Sequence, residues 1–257
     1  MIATLLLRYS FKLNENVSMK KLLAVLLLTL PTMAVAVDLE GFYITAKGGI
    51  SKTSNTGETS FNNNGGTLFT LQNEDLGTGS AFGFSVGKYL TDSFRLELEA
   101  IKRTGYEYDA RVSNAGFTSY TEEAKIQTEA LFVNGFYDFQ PFSIHNTPIT
   151  PYLGGGLGIS RNKMGTTVQN ENGIPDGGTV DGNTINQFAY KLSAGTLVSL
   201  TEHLSLDVNY QYVNLGAFKS GTEVFDNGAF SNNLQRGING GDIKTQELMV
   251  GLQYTFK

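Results

Sequence analysis

Leu248-Met249-Val250-Gly251-Leu252-Gln253-Tyr254-Thr255-Phe256-Lys257 alternates almost without a break. Leu248, Val250, Leu252, Tyr254 and Phe256 share one face of an extended chain, opposite Met249, Gly251, Gln253 and Thr255. A period of two with aromatics gathered at one end suits a strand whose apolar face meets hydrocarbon and whose rings lie at an interface. A water-soluble sheet has little use for such a last strand, whereas a transmembrane barrel closes its cylinder with one.

The same alternation recurs upstream and predicts eight strands, over 41–51, 79–90, 94–106, 123–137, 150–161, 187–200, 204–216 and 243–256. In the third, Phe94, Leu96, Leu98 and Ala100 oppose Arg95, Glu97, Glu99 and Arg103. In the seventh, Leu204, Leu206, Val208, Tyr210 and Tyr212 oppose Ser205, Asp207, Asn209 and Gln211. The fourth is ambiguous; with Ile126, Ala130, Phe132 and Phe136 facing out, Leu131 and Val133 face in. Short links (91–93, 201–203) and a Pro-bearing turn (138–149) alternate with four long links, 52–78, 107–122, 162–186 and 217–242, rich in Gly, Asn, Thr and Ser. Short turns on one side and long loops on the other describe an eight-stranded antiparallel transmembrane β-barrel with four long extracellular loops and short periplasmic turns. Leu90-Thr91-Asp92-Ser93-Phe94-Arg95-Leu96-Glu97 also matches Leu200-Thr201-Glu202-His203-Leu204-Ser205-Leu206-Asp207 at an offset of 110 residues, which reads as one hairpin used twice.

The N-terminus predicts export. From Met19, Lys20-Lys21 precedes an apolar run Leu22–Leu30, then Pro31 and Ala34-Val35-Ala36, the pattern of a signal peptide over 19–36. The apolar run is shorter than the ~20 residues a spanning helix needs. Residues 1–18 read as an upstream extension and 37–257 as the barrel domain. Removing residues 1–36 lowers Lys+Arg from 19 to 15 and Asp+Glu from 24 to 23, a net of −8. So acidic a chain excludes nucleic acid as a partner. With no cysteine there is no thiolate or disulfide chemistry.

Inward parity collects Lys47, Arg95, Arg103, Lys125 and Lys191 with Glu97, Glu99, Glu129, Asp207 and Glu247. An eight-stranded barrel has room for little besides its own side chains, so balanced charges there predict an ion-pair plug. The competing expectation is a small porin lined by those charges. Lys88 and Lys102 fall on the lipid face near strand ends, where a lysine can snorkel.

No enzyme site is expected. Gly83-Phe84-Ser85-Val86-Gly87 matches G-x-S-x-G but lies within a strand, and His145 and His203 fall in periplasmic turns. Gly154-Gly155-Gly156-Leu157-Gly158 lacks the helix of a phosphate cradle and reads as a smooth inner wall. Asn170 to Gly177 clusters oxygen ligands without the spacing of a calcium loop, so no metal or cofactor is assigned. The long links are acidic, which suits either solubility or cationic partners and lipopolysaccharide bridged by divalent ions. Phe61, Phe69, Phe117, Tyr120, Phe218, Phe225 and Phe230 are candidate contact anchors.

Gly41-Phe42-Tyr43-Ile44, Asn134-Gly135-Phe136-Tyr137-Asp138-Phe139, Pro151 to Gly158, Leu206 to Tyr212 and the last strand together resemble the small outer-membrane β-barrel family of opacity proteins and related surface antigens. The resemblance spans essentially all of 37–257. It implies a monomeric surface protein of the outer membrane whose loops contact host or cell-surface ligands, with no catalytic residues. It also marks Gly251, Tyr254 and Phe256 as the signal read by the barrel-assembly machinery. Met249 in place of a polar residue and Lys257 after the final aromatic depart from that signal.

Overall fold

The computed structural model describes residues 39–54, 59–62, 68–71, 75–112, 120–171 and 174–256. The segments read as upstream extension and signal peptide lie outside them. The described residues form fifteen strands: β1 (Phe42–Thr53), β2 (Thr59–Asn62), β3 (Leu68–Leu71), β4 (Thr78–Tyr89), β5 (Phe94–Val112), β6 (Tyr120–Asp138), β7 (Phe142–Ile144), β8 (Thr147–Met164), β9 (Thr167–Glu171), β10 (Ile174–Val180), β11 (Asn183–Ser199), β12 (Leu204–Lys219), β13 (Glu223–Asp226), β14 (Ala229–Asn233) and β15 (Arg236–Thr255). Eight of them close a ring of antiparallel neighbours, β1-β4-β5-β6-β8-β11-β12-β15 and back to β1. Closure pairs the backbone groups of every strand on both sides, which hydrocarbon requires because it offers no hydrogen bonds.

The repeated octapeptide is a repeated structure. Leu90 N–H donates to the Phe94 carbonyl at 2.8 Å, and Leu200 N–H to the Leu204 carbonyl at 2.8 Å. The Thr91 and Thr201 hydroxyl oxygens each accept from the strand-opening amide, Phe94 or Leu204, at 3.0 Å. The Pro-bearing turn 138–149 holds β7, folded onto β8 through His145 and Asn146, whose φ angles are 48° and 65°.

Seven barrel strands keep the expected parity. On β6 it is reversed: Ile126, Ala130, Phe132 and Phe136 are buried inside, and Val133 and Tyr137 are exposed outside. Both faces of β6 are apolar, so periodicity alone cannot orient it. Register does. Phe136, Asn134 and Phe132 lie opposite Gly154, Gly156 and Gly158, and a Cβ at any of those glycines would run into the side chain facing it. The glycine run is thus a comb that seats large inward side chains, not a smooth wall.

The barrel also outgrows its membrane belt. β5 continues to Val112 and β6 begins at Tyr120, well into a segment expected to be loop. Along β5 the apolar side changes face. Low on the strand Phe94, Leu96 and Leu98 are exposed and Arg95, Glu97 and Glu99 buried; above Gly105, Tyr106, Tyr108 and Ala110 are buried and Glu107, Asp109 and Arg111 exposed. A register shift between Arg103 and Tyr106 accompanies the change, with Gly105 at a φ of 91° that suits glycine. Beyond the belt, β9, β10, β13 and β14 extend the sheet from β6, and β2–β3 docks on β15.

Candidate functional site: the lumen and the external rim

Inward side chains fill the barrel in three tiers. At the periplasmic end the Arg95 Nε donates to both Asp138 oxygens at 3.0 Å, and Nη1 to Gln253 Oε1 at 3.3 Å. Its guanidinium lies 4.4 Å from the Phe136 ring centre and 4.5 Å from that of Tyr152. Tyr152 in turn donates to Asp207 at 2.6 Å. In the middle, Lys47 meets Glu99 at 2.9 Å and Glu97 at 3.8 Å, and Lys191 pairs with Glu99 from the opposite wall. Asn134 donates to Glu97 and Glu99 at 3.0 and 2.8 Å. Above them Arg103 makes a two-pronged contact with Glu247 at 2.5 and 3.1 Å. Glu247 also accepts from Ser51, Gln211 and Thr245 at 2.6, 2.5 and 2.7 Å.

Eight of the ten charges read as inward are in this network: Lys47, Arg95, Glu97, Glu99, Arg103, Lys191, Asp207 and Glu247 are all buried. Lys125 and Glu129 are not. With β6 reversed they stand on the outer wall, where Glu129 pairs with Lys102 at 3.6 Å. Asp138, which the alternation assigns to a turn, is the buried partner of Arg95. Its signal is positional: Phe94 lies opposite Tyr137 in register, so Arg95 and Asp138 are inward neighbours at the bottom of paired strands. Asn134, Tyr152, Gln211 and Gln253 also escape a reading by charge, because neutral polar residues carry no charge pattern to flag them.

Above the charges the lumen turns apolar. Tyr106, Tyr108, Ile126, Met164, Val213, Leu215, Phe218, Ile238 and Ile243 form one buried cluster. Phe218, expected as an exposed anchor, packs edge-on against Tyr108 with ring centres 5.7 Å apart. Phe225 and Phe230 pack on each other at 6.2 Å on the β13–β14 hairpin, with Phe230 58% exposed. The Asn227-Gly228 turn joining them has φ angles of 48° and 81°, the left-handed pair of a tight hairpin. The side chains of Phe61, Phe69, Phe117 and Tyr120 lie outside the described residues.

At the seam of β6 and β9, Glu122 is buried and accepts from Gln169 at 3.3 Å. Burial pushes its carboxyl up to about 7, against the lowering effect of that hydrogen bond.

Ser85 of the G-x-S-x-G match is buried on the lumen wall of β4, whereas His145 and His203 are exposed at the periplasmic end. A serine and base that far apart make no hydrolase. Among the described residues no three His, Cys, Asp or Glu side chains cluster as a metal site. The candidate calcium segment falls partly outside them. The residues read as an insertion signal sit at the β15 end: Gly251 faces Lys47 in register, and Tyr254 stacks on His203 at 5.7 Å and meets Phe256 edge-on at 5.1 Å.

The chain is 27% identical to the outer membrane protein PagN of Salmonella typhimurium over 197 residues, 71% of this chain and 78% of that one. It is 26% identical to a candidate adhesin of Rickettsia bellii over 148 residues, and spans 59% of that protein. Among solved structures, the outer membrane protein OprG of Pseudomonas aeruginosa aligns over 84% of this chain and 96% of its own, with a TM-score of 0.55 at 17% identity, a likeness of fold. The family described as the outer membrane protein beta-barrel domain matches residues 22–256. That match covers the closed ring of eight strands described above, and the chain belongs to the family as a protein of the outer membrane.

Proposed function

We propose that the chain is a closed, monomeric surface barrel, adhesin-like in function, whose lumen holds the scaffold together and whose external rim makes the contacts. The filled lumen carries this reading. A conduit needs water along its axis, whereas here Arg103, Tyr106, Tyr108 and Phe218 are buried in successive tiers. The comparison with a candidate adhesin supports the adhesive role. At the rim, Asp75, Glu107, Asp109, Glu123, Glu223, Asp226 and Asp242 are exposed. This surface suits a partner with cationic groups, anchored by an aromatic such as Phe230 on the β13–β14 hairpin. No catalysis is assigned. Residues 19–36 act as the signal peptide, after an upstream extension over 1–18, and residues 37–257 form the mature barrel. Gly251, Tyr254 and Phe256 present the insertion signal to the assembly machinery, and lipopolysaccharide surrounds the wall.

Attachment tests it. A non-adherent bacterium displaying the chain gains attachment to cultured host cells, and Phe230→Ala lowers that gain while surface expression holds. Equal attachment with and without the chain ends the adhesive reading. In a planar bilayer the refolded protein is silent; steps of uniform conductance that shift with Glu99→Gln restore the small-porin alternative.

A further inference from the structure

We propose that the outer wall where β5, β6 and β8 leave the hydrocarbon binds the phosphate groups of outer-leaflet glycolipid, through Lys102, Lys125, Arg161 and Lys163. The inference rests on the outer-membrane placement and is independent of what the rim binds.

Three adjacent strands change character at one line. The last outward apolar residues are Ala100 on β5, Leu131 on β6 and Ile159 on β8, and the register joins them side by side. The next outward residues are Lys102, Glu129 and Arg161, again side by side: Lys102 lies opposite Glu129, and Glu129 opposite Arg161. One pleat higher Lys163 faces Gln127, and Lys125 stands one pleat above Gln127. Four cations thus gather at the edge of the belt against two carboxylates, Glu129 between Lys102 and Arg161 and Glu107 opposite Lys125. Lys102 keeps 46% of its side chain exposed while paired with Glu129.

The position is informative because the chain is otherwise acidic outside. On β11 the residues above the belt are Asn186 and Thr184, uncharged. On β1 the line holds Lys52 alone, and on β15 Lys244 stands beside Asp242. At the lower edge of the belt, Lys88 lies over the Phe42 ring at 4.5 Å. A basic cluster at the upper edge only, on contiguous strands, matches an outer leaflet whose phosphates lie just above the acyl chains. Cations at a belt edge carry far less penalty than at mid-membrane, so the site costs the barrel little. Arg161 supplies a planar fork and the lysines point charges.

The experiment uses the refolded chain in detergent, with retention of lipid followed by native mass spectrometry. The probes are bisphosphorylated lipid A, the same lipid A stripped of phosphate, phosphatidylglycerol and inorganic phosphate. Bisphosphorylated lipid A is expected to bind at least about tenfold tighter than the stripped form, the worth of one charge-assisted contact. Arg161→Gln with Lys163→Gln abolishes that preference, and Arg161→Lys with Lys163→Arg retains it. Heat-dependent gel mobility reports folding; should the first pair fail to fold, Lys102→Gln with Lys125→Gln takes its place. Equal binding of the two lipid A forms overturns the site, as does a preference that survives in the folded Gln variant. Phosphatidylglycerol binding as tightly shows only a general anionic surface and also overturns it. Displacement of the lipid by inorganic phosphate overturns it in favour of a soluble-anion site. A failed lipid preference leaves the attachment assay untouched, so the two readings fail separately.

Discussion

The lower and upper halves of this barrel are filled by opposite means with the same strands. Below the line through Lys102 and Arg161, hydrocarbon takes the apolar face of each strand, so the polar face turns inward and its charges must satisfy one another. Above it, water takes the polar face, and Tyr106, Tyr108, Met164 and Leu215 turn inward as an ordinary protein core. The lower half inherits its lumen from the membrane's demand, and the upper half packs as a soluble sandwich would. Stability in the first is electrostatic and all-or-none, and in the second it is divisible, methylene by methylene.

The largest expected effect follows from that contrast. Glu247→Ala orphans Arg103, which is fully buried, and removes the acceptor of Ser51, Gln211 and Thr245. Breaking a buried pair from one side costs about 3–5 kcal/mol, read as a lowered urea midpoint of the refolded barrel. Replacing both partners, Arg103→Met with Glu247→Leu, returns the part due to the lone charge, while Ser51, Gln211 and Thr245 still lack their acceptor. If the double variant is as unstable as the single one, the lower lumen depends on the pair itself and not merely on avoiding an orphan. In the upper half, Leu215→Ala costs about 2–4 kcal/mol through the cavity it leaves. That loss appears as faster hydrogen exchange above Gly105, with exchange in the lower tiers preserved. A uniform rise along the barrel would show the halves to be a single cooperative unit.

Much of the lower half is legible in the sequence because the membrane imposes a period of two. Arg95, Glu97 and Glu99 alternate with Phe94, Leu96 and Leu98, and only one face can meet lipid. β6 defeats that reading for a definite reason. Its inward Phe132 and Phe136 are apolar because they lie against glycines of β8 and, in the case of Phe136, beneath the Arg95 guanidinium. The same parity misplaces Lys125 and Glu129. The upper half is harder to read because its alternation is inverted. Tyr106 and Tyr108 opposite Glu107 and Asp109 look like loop residues to a reader expecting apolar side chains outside, and the shift at Gly105 hides the change of phase. Phe218 looks like an exposed anchor on that account. Asp138 needs the partner strand's register, which no single segment contains.

Glu122 gives the smallest effect and the sharpest test of the upper half as a water-like core, since an isolated carboxyl there feels burial with no cation to offset it. Its folded form holds the proton up to about pH 7, whereas the unfolded chain releases it near the ordinary value of 4.5. The native state therefore binds more protons between those limits, and stability falls as pH rises. The β6–β9 seam is most stable below about pH 4.5, weakens across the window up to about 7, and is level above it. The whole loss is at most about 3–4 kcal/mol, because holding one proton across each pH step of that window is worth about 1.4 kcal/mol. Hydrogen exchange at Tyr120–Glu123 and Val168–Glu171, the four residue pairs of the seam, reads it directly. Glu122→Gln keeps the shape and removes the proton, so its exchange should be flat over that window, with the lower tiers indifferent in both proteins. A seam whose protection rises with pH in the wild type would mean that a cation reaches Glu122, and that the upper half is not the dry core its packing describes.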